Sequence, residues 1–389
     1  MQTGLDVFLK NPLPELAGKR VGVLTNTGAV DERMQPSGEA ILALEHMKVD
    51  RFFAGEHGLY GEEPAGTSIR DSIDPRTGRP VVSLFRSGRA LGKEQLDGLD
   101  AVLTDVMDIG CRYYTVLGTT LDLLKACHLA SVPMYLLDRP NPLGAHVEGQ
   151  PGVDSRLRSL VGSAHVPIRH GLTIGELLIL AAREHGIEDT LHVVRMTAWS
   201  RTQLWPDLHR PWVPPSPNTD GWDMVRLYCG TCLVEGTNMS EGRGTAFPFQ
   251  VMGAPWLDMW KLADEANGVA PDGVYYRPTA FVPTYSKHSG KVCRGVMVHL
   301  DPRKDPPVVE AGLNLLAAAF RHPATEFRPP RTDREPRETA HYGFDLLAGD
   351  DKLRQDLAAA RPVPEILEEW RIARSDWPDR MREVSLYPV

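Results

Sequence analysis

The stretch at residues 101–114 reads AVLTDVMDIGCRYY, a short apolar segment that runs into a cluster of polar and aromatic residues. Its apolar part, residues 101–106, is typical of a buried strand. Five more short apolar segments, with helical patterns between them, predict strands at residues 21–25, 49–55, 81–85, 132–137 and 191–196. Strands that alternate with helices predict a mostly parallel sheet with helices on both faces, which is a doubly wound α/β fold.

The helical patterns between these strands have recognisable beginnings. Residues 173–184 form the clearest predicted helix, because Thr173 and Glu176 have the spacing of a capping box. Residues 39–47 also have helical spacing, and Ser37 is the predicted cap of that helix.

The texture of the sequence changes near residue 248. The predicted elements beyond this point are antiparallel strands within residues 273–298 and helices at residues 307–320, 350–359 and 364–371. Residues 322–337 are rich in proline and arginine and are predicted to form a surface loop. We therefore expect two domains, the doubly wound sheet in residues 1–247 and a smaller α+β domain in residues 248–389.

Ligands of open parallel sheets bind at the carboxyl ends of the strands. Polar residues follow three of the predicted strands at this point. They are Glu56 and His57 after the second strand, Asp105, Asp108, Arg112 and Tyr113 after the fourth, and Asp138, Arg139 and Asn141 after the fifth. Polar residues occur by chance in many loops, but three such strand ends favour a shared binding site.

A second polar cluster lies at residues 235–249, which read EGTNMSEGRGTAFPF. Ten residues of this stretch combine Glu235, Asn238, Glu241 and Arg243 with three glycines. Small flexible residues around fixed polar groups suit a loop that lets the backbone approach a ligand closely. A solvated surface turn has a similar composition, and this stretch alone does not distinguish the two.

The composition argues against several classes of partner. The 389 residues carry 43 basic and 51 acidic side chains, and the formal charge of −8 disfavours nucleic acid or an anionic membrane as the main partner. No apolar run is long enough to span a bilayer. No signal peptide is visible, so we expect a cytoplasmic location for the sequence as it stands, and export if a leader precedes it. The sequence does not define the oligomeric state.

The sequence lacks the motifs of common cofactor and metal sites. It contains no G-x-G-x-x-G, no G-x-x-x-x-G-K-[ST], no H-E-x-x-H and no G-x-S-x-G. Among the five cysteines, Cys229 and Cys232 form a C-x-x-C pair, but this pair lacks both the second pair of a zinc site and the strand–helix context of a redox site. We expect both to be small buried hydrophobes. Hydrolysis or binding by carboxylates and arginines remains as the main option.

Several segments together resemble one protein family. They are GEHG at 55–58, DVMDIGCRYY at 105–114, LDRPNPLG at 137–144, VEG at 147–149, IRHGLTIGE at 168–176, WVPPSPN at 212–218, EGTNMSEGRGT at 235–245 and GAPW at 253–256. In order and spacing this set resembles the exo-acting β-N-acetylmuramidases of the NamZ type.

The resemblance implies a Rossmann-like first domain, a smaller second domain and a site in the cleft between them. The implied reaction is hydrolysis of a β-1,4 bond that releases N-acetylmuramic acid from the non-reducing ends of peptidoglycan fragments. The implied substrates are peptidoglycan-derived muropeptides or disaccharides. No metal and no organic cofactor are implied.

Glycoside hydrolysis usually needs an acid that protonates the leaving oxygen and a second group that acts as base or nucleophile. Glu56 is the predicted acid, because it lies at a strand end beside glycines that allow close approach of a substrate; the alternative is a turn-capping role. The second role stays open among Glu235, Glu241, Asp108 and Tyr113. We prefer Glu235, because it ends a predicted helix and is therefore better fixed.

N-Acetylmuramic acid carries a lactyl carboxylate, which a guanidinium matches in a bidentate way. Arg112, Arg139 and Arg243 are therefore candidates for this carboxylate, and each has the alternative of a structural pair with a neighbouring aspartate. The other predicted substrate-binding residues are His57, Asp108, Tyr113, Asn141, His170, Asn218 and Asn238.

Two other functions are compatible with these residues. A non-catalytic muropeptide-binding protein would keep the arginines and aromatic residues but would need no acid. A hydrolase of another carboxylated sugar would also use the arginines, since a guanidinium does not identify the acid that it binds.

Overall fold

A computed structural model of the protein describes residues 1–85, 91–330 and 341–388. The strands of its first sheet are β1 (Arg20–Thr25), β2 (Lys48–Ala54), β3 (Ser72–Ile73), β4 (Pro80–Ser83), β5 (Ala101–Asp105), β6 (Met134–Leu137) and β7 (Leu191–Val194). Within the described residues, these seven strands have the order β3-β4-β2-β1-β5-β6-β7. All neighbouring pairs are parallel except β3 and β4. The predicted doubly wound α/β fold is confirmed.

The six predicted strands all exist, and each of their ends lies within two residues of the prediction. All five residues of β5 are buried, because helices cover both faces of the sheet. Strand β3 was not predicted, because this exposed edge strand of two residues is too short to show a pattern.

The helices of the described residues are α1 (Gly4–Lys10), α2 (Ser37–Leu42), α3 (Thr115–Ala130), α4 (Ile174–His185), α5 (Trp222–Thr231), α6 (Met259–Asn267), α7 (Val308–Ala319), α8 (Gly343–Ala348), α9 (Lys352–Ala358), α10 (Val363–Ala373) and α11 (Trp377–Val384). In none of them is there an apolar stretch long enough to cross a membrane. The capping box of α4 is confirmed, since Thr173 Oγ1 accepts a hydrogen bond from Glu176 N and Glu176 Oε2 accepts one from Thr173 N.

The predicted cap of α2 is wrong. Pro36 is the N-cap residue, and Ser37 is already helical. The Ser37 hydroxyl instead lies 2.7 Å from the hydroxyl of Thr25 at the end of β1. The helix also ends at Leu42 rather than at residue 47, which leaves room for the turn into β2.

The second sheet consists of β8 (Val251–Ala254), β9 (Val274–Phe281) and β10 (Cys293–Leu300). Its strands have the order β8-β10-β9 and are antiparallel, as predicted for residues 273–298. Helix α6 packs against β9 and β10, and α7 packs against α5 and α6. The predicted helices near α7, α9 and α10 are confirmed, whereas α6, α8 and α11 were not predicted.

The chain passes between the two sheet layers more than once. Helix α5 packs closely on α7, since a Cβ atom at Gly230 would lie 1.9 Å from Val308 O. At the other end of the chain, Trp377 of α11 is buried in the core of the parallel sheet. Tyr387 also returns to this sheet, and its hydroxyl donates a 2.6 Å hydrogen bond to Asp138 Oδ2. The division into domains at residue 247 stays a prediction.

The loop predicted at residues 322–337 is described only up to residue 330, and residues 331–337 lie outside the described part. In the described portion, Phe327 stacks on Phe320 with ring centroids 4.3 Å apart. Phe327 also forms a bridge with Thr237, so this segment packs against the cluster at residues 235–249.

Candidate active site

A cavity of about 550 Å³ lies between the carboxyl edge of the parallel sheet and the segment after α5. It brings together residues from both predicted polar clusters. The predicted site residues that line it are Glu56, His57, Tyr113, Asn218, Glu235 and Arg243. The stretch at residues 235–249 therefore includes part of a site and is not only a solvated turn.

Glu56 is held by two hydrogen-bond donors. It follows β2, and its Oε1 accepts a 2.8 Å hydrogen bond from Gly66 N while Oε2 accepts a 2.9 Å hydrogen bond from Thr115 Oγ1. Thr115 is the first residue of α3, so the carboxylate is fixed between a loop and the beginning of a helix. Gly58 has a φ of 79°, which explains the glycine in this turn.

A second cavity, of about 470 Å³, opens on the other side of Glu56 at the ends of β1 and β2. Both cavities are lined by Glu56, His57, Tyr114 and Thr115. Burial raises the pKa of Tyr114, and the charges of Asp108 and Glu56 act in the same direction. Glu56 therefore lines both spaces.

Glu235 lies in a 3₁₀ turn, Cys232–Gly236, that follows α5. Its Oε1 accepts hydrogen bonds from Arg243, with distances of 2.8 Å to Nε and 2.7 Å to Nη2. The Cys232 thiol is 3.5 Å from Glu235 Oε2. This ion pair fixes the orientation of the Glu235 carboxylate.

Arg243 lines the cavity and has one nitrogen without a hydrogen bond to the described residues. Its Nη1 makes no hydrogen bond within the described residues, while Nε and Nη2 bind Glu235. The guanidinium also lies over the Phe249 ring, 4.9 Å from the centroid. Its neighbours Glu235 and Glu241 raise the pKa of Arg243 further despite its burial. The side chain is therefore a fixed cation that can receive a substrate carboxylate.

Glu241, the other carboxylate of this loop, does not line the cavity. It is 2% exposed, and its Oε2 lies 2.8 Å from Lys287 Nζ. Lys287 also donates to the carbonyl oxygens of Val234 and Thr237, at 3.1 and 3.0 Å. The catalytic role considered for Glu241 is therefore corrected to a structural one, in which it orients the lysine that holds the turn of Glu235.

Arg112 was predicted to bind substrate, and the structure contradicts this. It is buried, and its Nη1 donates to Gln150 and Gly152 of the first layer while Nη2 donates to the carbonyls of Leu347 and Ala348. Burial lowers its pKa to about 10, so the guanidinium is charged at neutral pH. Its donors are used to connect the two layers.

Arg139 and Asn141 are likewise structural. Arg139 makes a bidentate pair with Asp105, with Nε–Oδ1 and Nη2–Oδ2 distances of 2.6 and 2.7 Å. Asn141 donates to Leu172 O and accepts from Leu143 N, which closes a buried turn. Both side chains are at most 3% exposed, so neither is available to a substrate.

His170 and Asp108 are buried outside the cavity. His170 Nδ1 accepts a hydrogen bond from Leu172 N, and burial lowers its pKa to about 3, so the ring is neutral. Asp108 Oδ1 accepts a hydrogen bond from Gly110 N, and burial raises its pKa to about 7. These positions contradict the predicted substrate contacts.

Tyr113 and Asn238 bind backbone groups next to the cavity. The Tyr113 ring lines the cavity, but its hydroxyl donates to the carbonyl of Cys229 and burial raises its pKa, which opposes the alternative role as nucleophile. Asn238 binds Ala324 O and Glu326 N and so anchors the neighbouring loop rather than a substrate. All five cysteines of the described chain are free and buried, as predicted for Cys229 and Cys232.

Four residues in or beside the cavity were not predicted. Thr115 is the first residue of α3, Tyr228 lies within α5, and Ser216 lies in the WVPPSPN motif, and no local signal in the sequence marks these three residues. Lys287 is a single lysine in an exposed-looking hairpin, SKHSG, far along the chain from Glu235. Only the folded contacts identify these four residues.

The described residues contain no group of three or more His, Cys, Asp or Glu side chains that could hold a metal ion. The functional groups that line the cavity include two glutamates, one arginine and a set of hydroxyl and aromatic side chains. Most enzymes that hydrolyse glycosidic bonds use two carboxyl groups at one polar cavity as catalytic groups. Fold and site together define a glycosidase with a doubly wound α/β domain.

The chain belongs to the NamZ family of exo-β-N-acetylmuramidases. The family model for the N-terminal domain matches residues 21–223, and the model for the C-terminal domain matches residues 226–387. A relative, the peptidoglycan β-N-acetylmuramidase NamZ of Bacillus subtilis (strain 168), is 34% identical over 371 residues, which cover 95% of this chain and 87% of that protein.

Two solved structures have the same fold. Both are DUF1343 family proteins of Bacteroides fragilis NCTC 9343, and each is 26% identical to this chain. The first has a TM-score of 0.86 and is matched over 99% of this chain and 98% of its own. The second has a TM-score of 0.77 over 100% of this chain and 99% of its own.

Proposed function

We propose that this protein is an exo-acting glycosidase that releases N-acetylmuramic acid from the non-reducing ends of β-1,4-linked peptidoglycan fragments. Membership of the NamZ family supports the reaction. The observation that carries the proposal for this chain is the cavity that contains Glu56 together with the ion pair of Glu235 and Arg243.

Glu56 is the general acid in this proposal. As the bond between the anomeric carbon and the bridging oxygen breaks, the Glu56 carboxyl gives its proton to that oxygen. The two donors on its oxygens, Thr115 Oγ1 and Gly66 N, fix the direction of the carboxyl group. A hydroxyl can also accept a hydrogen bond, so Thr115 serves both protonation states.

Glu235 is the second carboxylate. Its ion pair with Arg243 orients it for the role of a group that attacks the anomeric carbon or takes a proton from water. The anomeric configuration of the first-formed product distinguishes the two roles, since retention requires a nucleophile and inversion a base.

Arg243 recognises the lactyl carboxylate of muramic acid through Nη1. A guanidinium that is already oriented by Glu235 and Phe249 loses little freedom when it binds an anion. Asn218, whose Oδ1 accepts a hydrogen bond from Tyr285, is placed to bond the sugar or its acetamido group.

The test is release of nitrophenol from 4-nitrophenyl β-N-acetylmuramide and from the matching β-N-acetylglucosaminide, between pH 5 and 8. The two compounds differ only in the lactyl group, so we expect release from the muramide and little from the glucosaminide. No release from the muramide at any pH would contradict the proposal.

Two other results would replace this function by another. Saturable binding of a muramyl disaccharide without turnover would make the protein a non-catalytic binder. Faster release from another carboxylated sugar, in a panel that includes β-glucuronide and sialoside substrates, would make it a hydrolase of that sugar.

A further inference from the structure

The second sheet has an open face beside the active site. This face and the loop after Arg243 form a groove of about 1070 Å³. We define the groove by the residues Phe247, Arg277, Thr279, Phe281, Tyr285 and Met297. The helices of the second domain cover only the other face of the sheet, where Tyr276 and Val296 are buried in the core.

Two aromatic side chains of the groove are exposed to solvent. Phe247 is 45% exposed and Tyr285 is 49% exposed. Alternation along β9 places Arg277, Thr279 and Phe281 on the same open face, and Met297 of β10 pairs with Arg277. Exposed apolar groups that cluster on a concave surface mark a binding site.

Residues that line the groove adjoin residues that line the active-site cavity. Arg243 lines the cavity, and the next residue, Gly244, lines the groove. Across the boundary, the Tyr285 hydroxyl donates a 3.1 Å hydrogen bond to Asn218 Oδ1, and Asn218 lines the cavity. The main chain fixes this boundary too, since Thr284 N donates to Gly244 O at 2.9 Å.

We propose that this groove binds the leaving glycan, which is the part of the substrate on the reducing side of the bond that is cut. This inference rests on the proposed muramidase function. In this proposal, a glycan whose terminal muramic acid occupies the cavity extends past Gly244 and Tyr285 and meets the groove there.

The chemistry of the groove fits a glycan that alternates amino sugars with muramic acid. Phe247 and Tyr285 offer flat faces for the apolar sides of sugar rings. The Arg277 guanidinium contacts His299 and Met297 within the described residues, and neither of these carries a negative charge. Arg277 is therefore a cation available to the carboxylate of a further muramic acid.

The experiment compares two substrates of the same enzyme. The first is 4-nitrophenyl β-N-acetylmuramide, whose aglycone is one ring, and the second is a peptide-free tetrasaccharide that begins with muramic acid. We expect Phe247→Ala and Arg277→Ala to lower the ratio of kcat/KM for the tetrasaccharide to kcat/KM for the aryl muramide by about fivefold each, a loss of the size of one aromatic or ionic contact.

Trp260→Ala is the matched control, because Trp260 is a 63% exposed aromatic residue of α6, the helix that packs against β9 and β10, and it does not line the groove. Its ratio should equal that of the wild-type protein.

If the aryl muramide is cleaved but all three variants keep the wild-type ratio, the groove proposal alone is overturned. If neither substrate is cleaved by the wild-type protein, the proposed function fails and the groove proposal fails with it. A dimer that Phe247→Ala dissociates in light scattering would assign the groove to a second copy and would also overturn the proposal.

Discussion

Glu56 is the residue on which the proposed chemistry depends most directly. Substitution of Glu56 by Gln keeps the size of the side chain and one acceptor oxygen but removes the transferable proton. We expect kcat on the aryl muramide to fall by about 10²- to 10⁴-fold, the usual contribution of a general acid, with a thermal midpoint close to that of the wild-type protein.

Thr115→Val separates this chemical role from a structural one. The substitution removes the hydroxyl that binds Glu56 Oε2 and keeps the shape of the side chain. We expect a smaller loss of kcat than for Glu56→Gln, because the carboxyl group is still present but less well oriented.

For the first of these two variants, equal activity of Glu56→Gln and the wild-type protein would exclude Glu56 as the acid.

Asp108 gives a prediction about pH. Burial raises its pKa from 3.8 to about 7, so the folded protein binds this proton more tightly than the unfolded chain does. The free energy of unfolding therefore decreases as the pH rises from about 4 to about 7, by on the order of 4 kcal/mol for this group. Asp108→Asn is neutral at every pH and should lack this decrease.

The measurement is the thermal midpoint of both proteins between pH 4 and 8. Because the Asp108→Asn variant places amide hydrogens in the same buried position, its absolute stability is not the test. The difference in midpoint, variant minus wild type, should increase by several degrees between pH 4 and 8. Parallel curves would show that Asp108 does not titrate in this range.

Individual residue types were only partly informative about the site. Three arginines stand in polar motifs, yet only Arg243 lines the cavity, whereas Arg112 and Arg139 are buried among carbonyl groups and a carboxylate. A sequence shows that a guanidinium follows a strand, but the partner that it meets is decided by packing. Glu56 and Glu235 both line the cavity, and the sequence indicates them because each lies directly at the end of a predicted element.

At the level of elements, hydrophobic pattern was sufficient wherever an element is long or buried on both faces. Strands such as β5 and the capped helix α4 were predicted within a few residues. The short edge strand β3 and the 3₁₀ turn Cys232–Gly236 were not predicted, because elements of two and five residues are too short to show a hydrophobic periodicity. That turn carries Glu235, so the least predictable element is also part of the active site.

The hairpin between β9 and β10 holds this turn in place through Lys287. Its ammonium group binds the carbonyls of Val234 and Thr237 and the buried Glu241. Two residues beside it, Ser286 and His288, have positive φ angles of 66° and 59°. Such backbone strain costs on the order of 1 kcal/mol or more for each residue and persists only where surrounding contacts enforce it.

We predict that Lys287→Met lowers kcat about tenfold with little change in KM, because Glu235 loses its orientation while the cavity keeps its shape. The thermal midpoint should also fall, since Glu241 is left buried with a weaker partner. Lys291→Met is the control, as Lys291 is an exposed lysine of the same hairpin. Equal kcat for the two variants would show that Lys287 has no positioning role.

On the scale of the whole molecule, the two layers are connected by buried charged groups as well as by the chain. Arg112 reaches from Gly152 to Leu347, and Arg169 forms ion pairs with Glu148 and Asp305 at 2.8 and 2.7 Å. Arg169 lies in the IRHGLTIGE motif but was not predicted to have a role. Both arginines act across long sequence separations, which local patterns do not show.

The connection through Arg112 leads to a prediction about domain coupling. Arg112→Lys keeps the charge but replaces a planar fork, which bonds carbonyls of both layers, by a single ammonium with three donors. At about 1.5–3 kcal/mol for each hydrogen bond made by a charged group, the loss is enough to weaken the contact between the layers by several kcal/mol.

We expect calorimetry of Arg112→Lys to show two separated unfolding transitions where the wild-type protein shows one, together with a higher KM for the aryl muramide, because the cavity has walls in both layers. Arg139→Lys is the matched control, since Arg139 is equally buried but its partners in the described chain, Asp105 and Val30, both lie within the first layer. That variant should lower the single midpoint without splitting the transition. A single transition in both variants, with the same loss of stability, would show that Arg112 stabilises the fold without coupling the layers. The ion pairs of Arg169 would then be the contacts that hold the two layers together around the cavity.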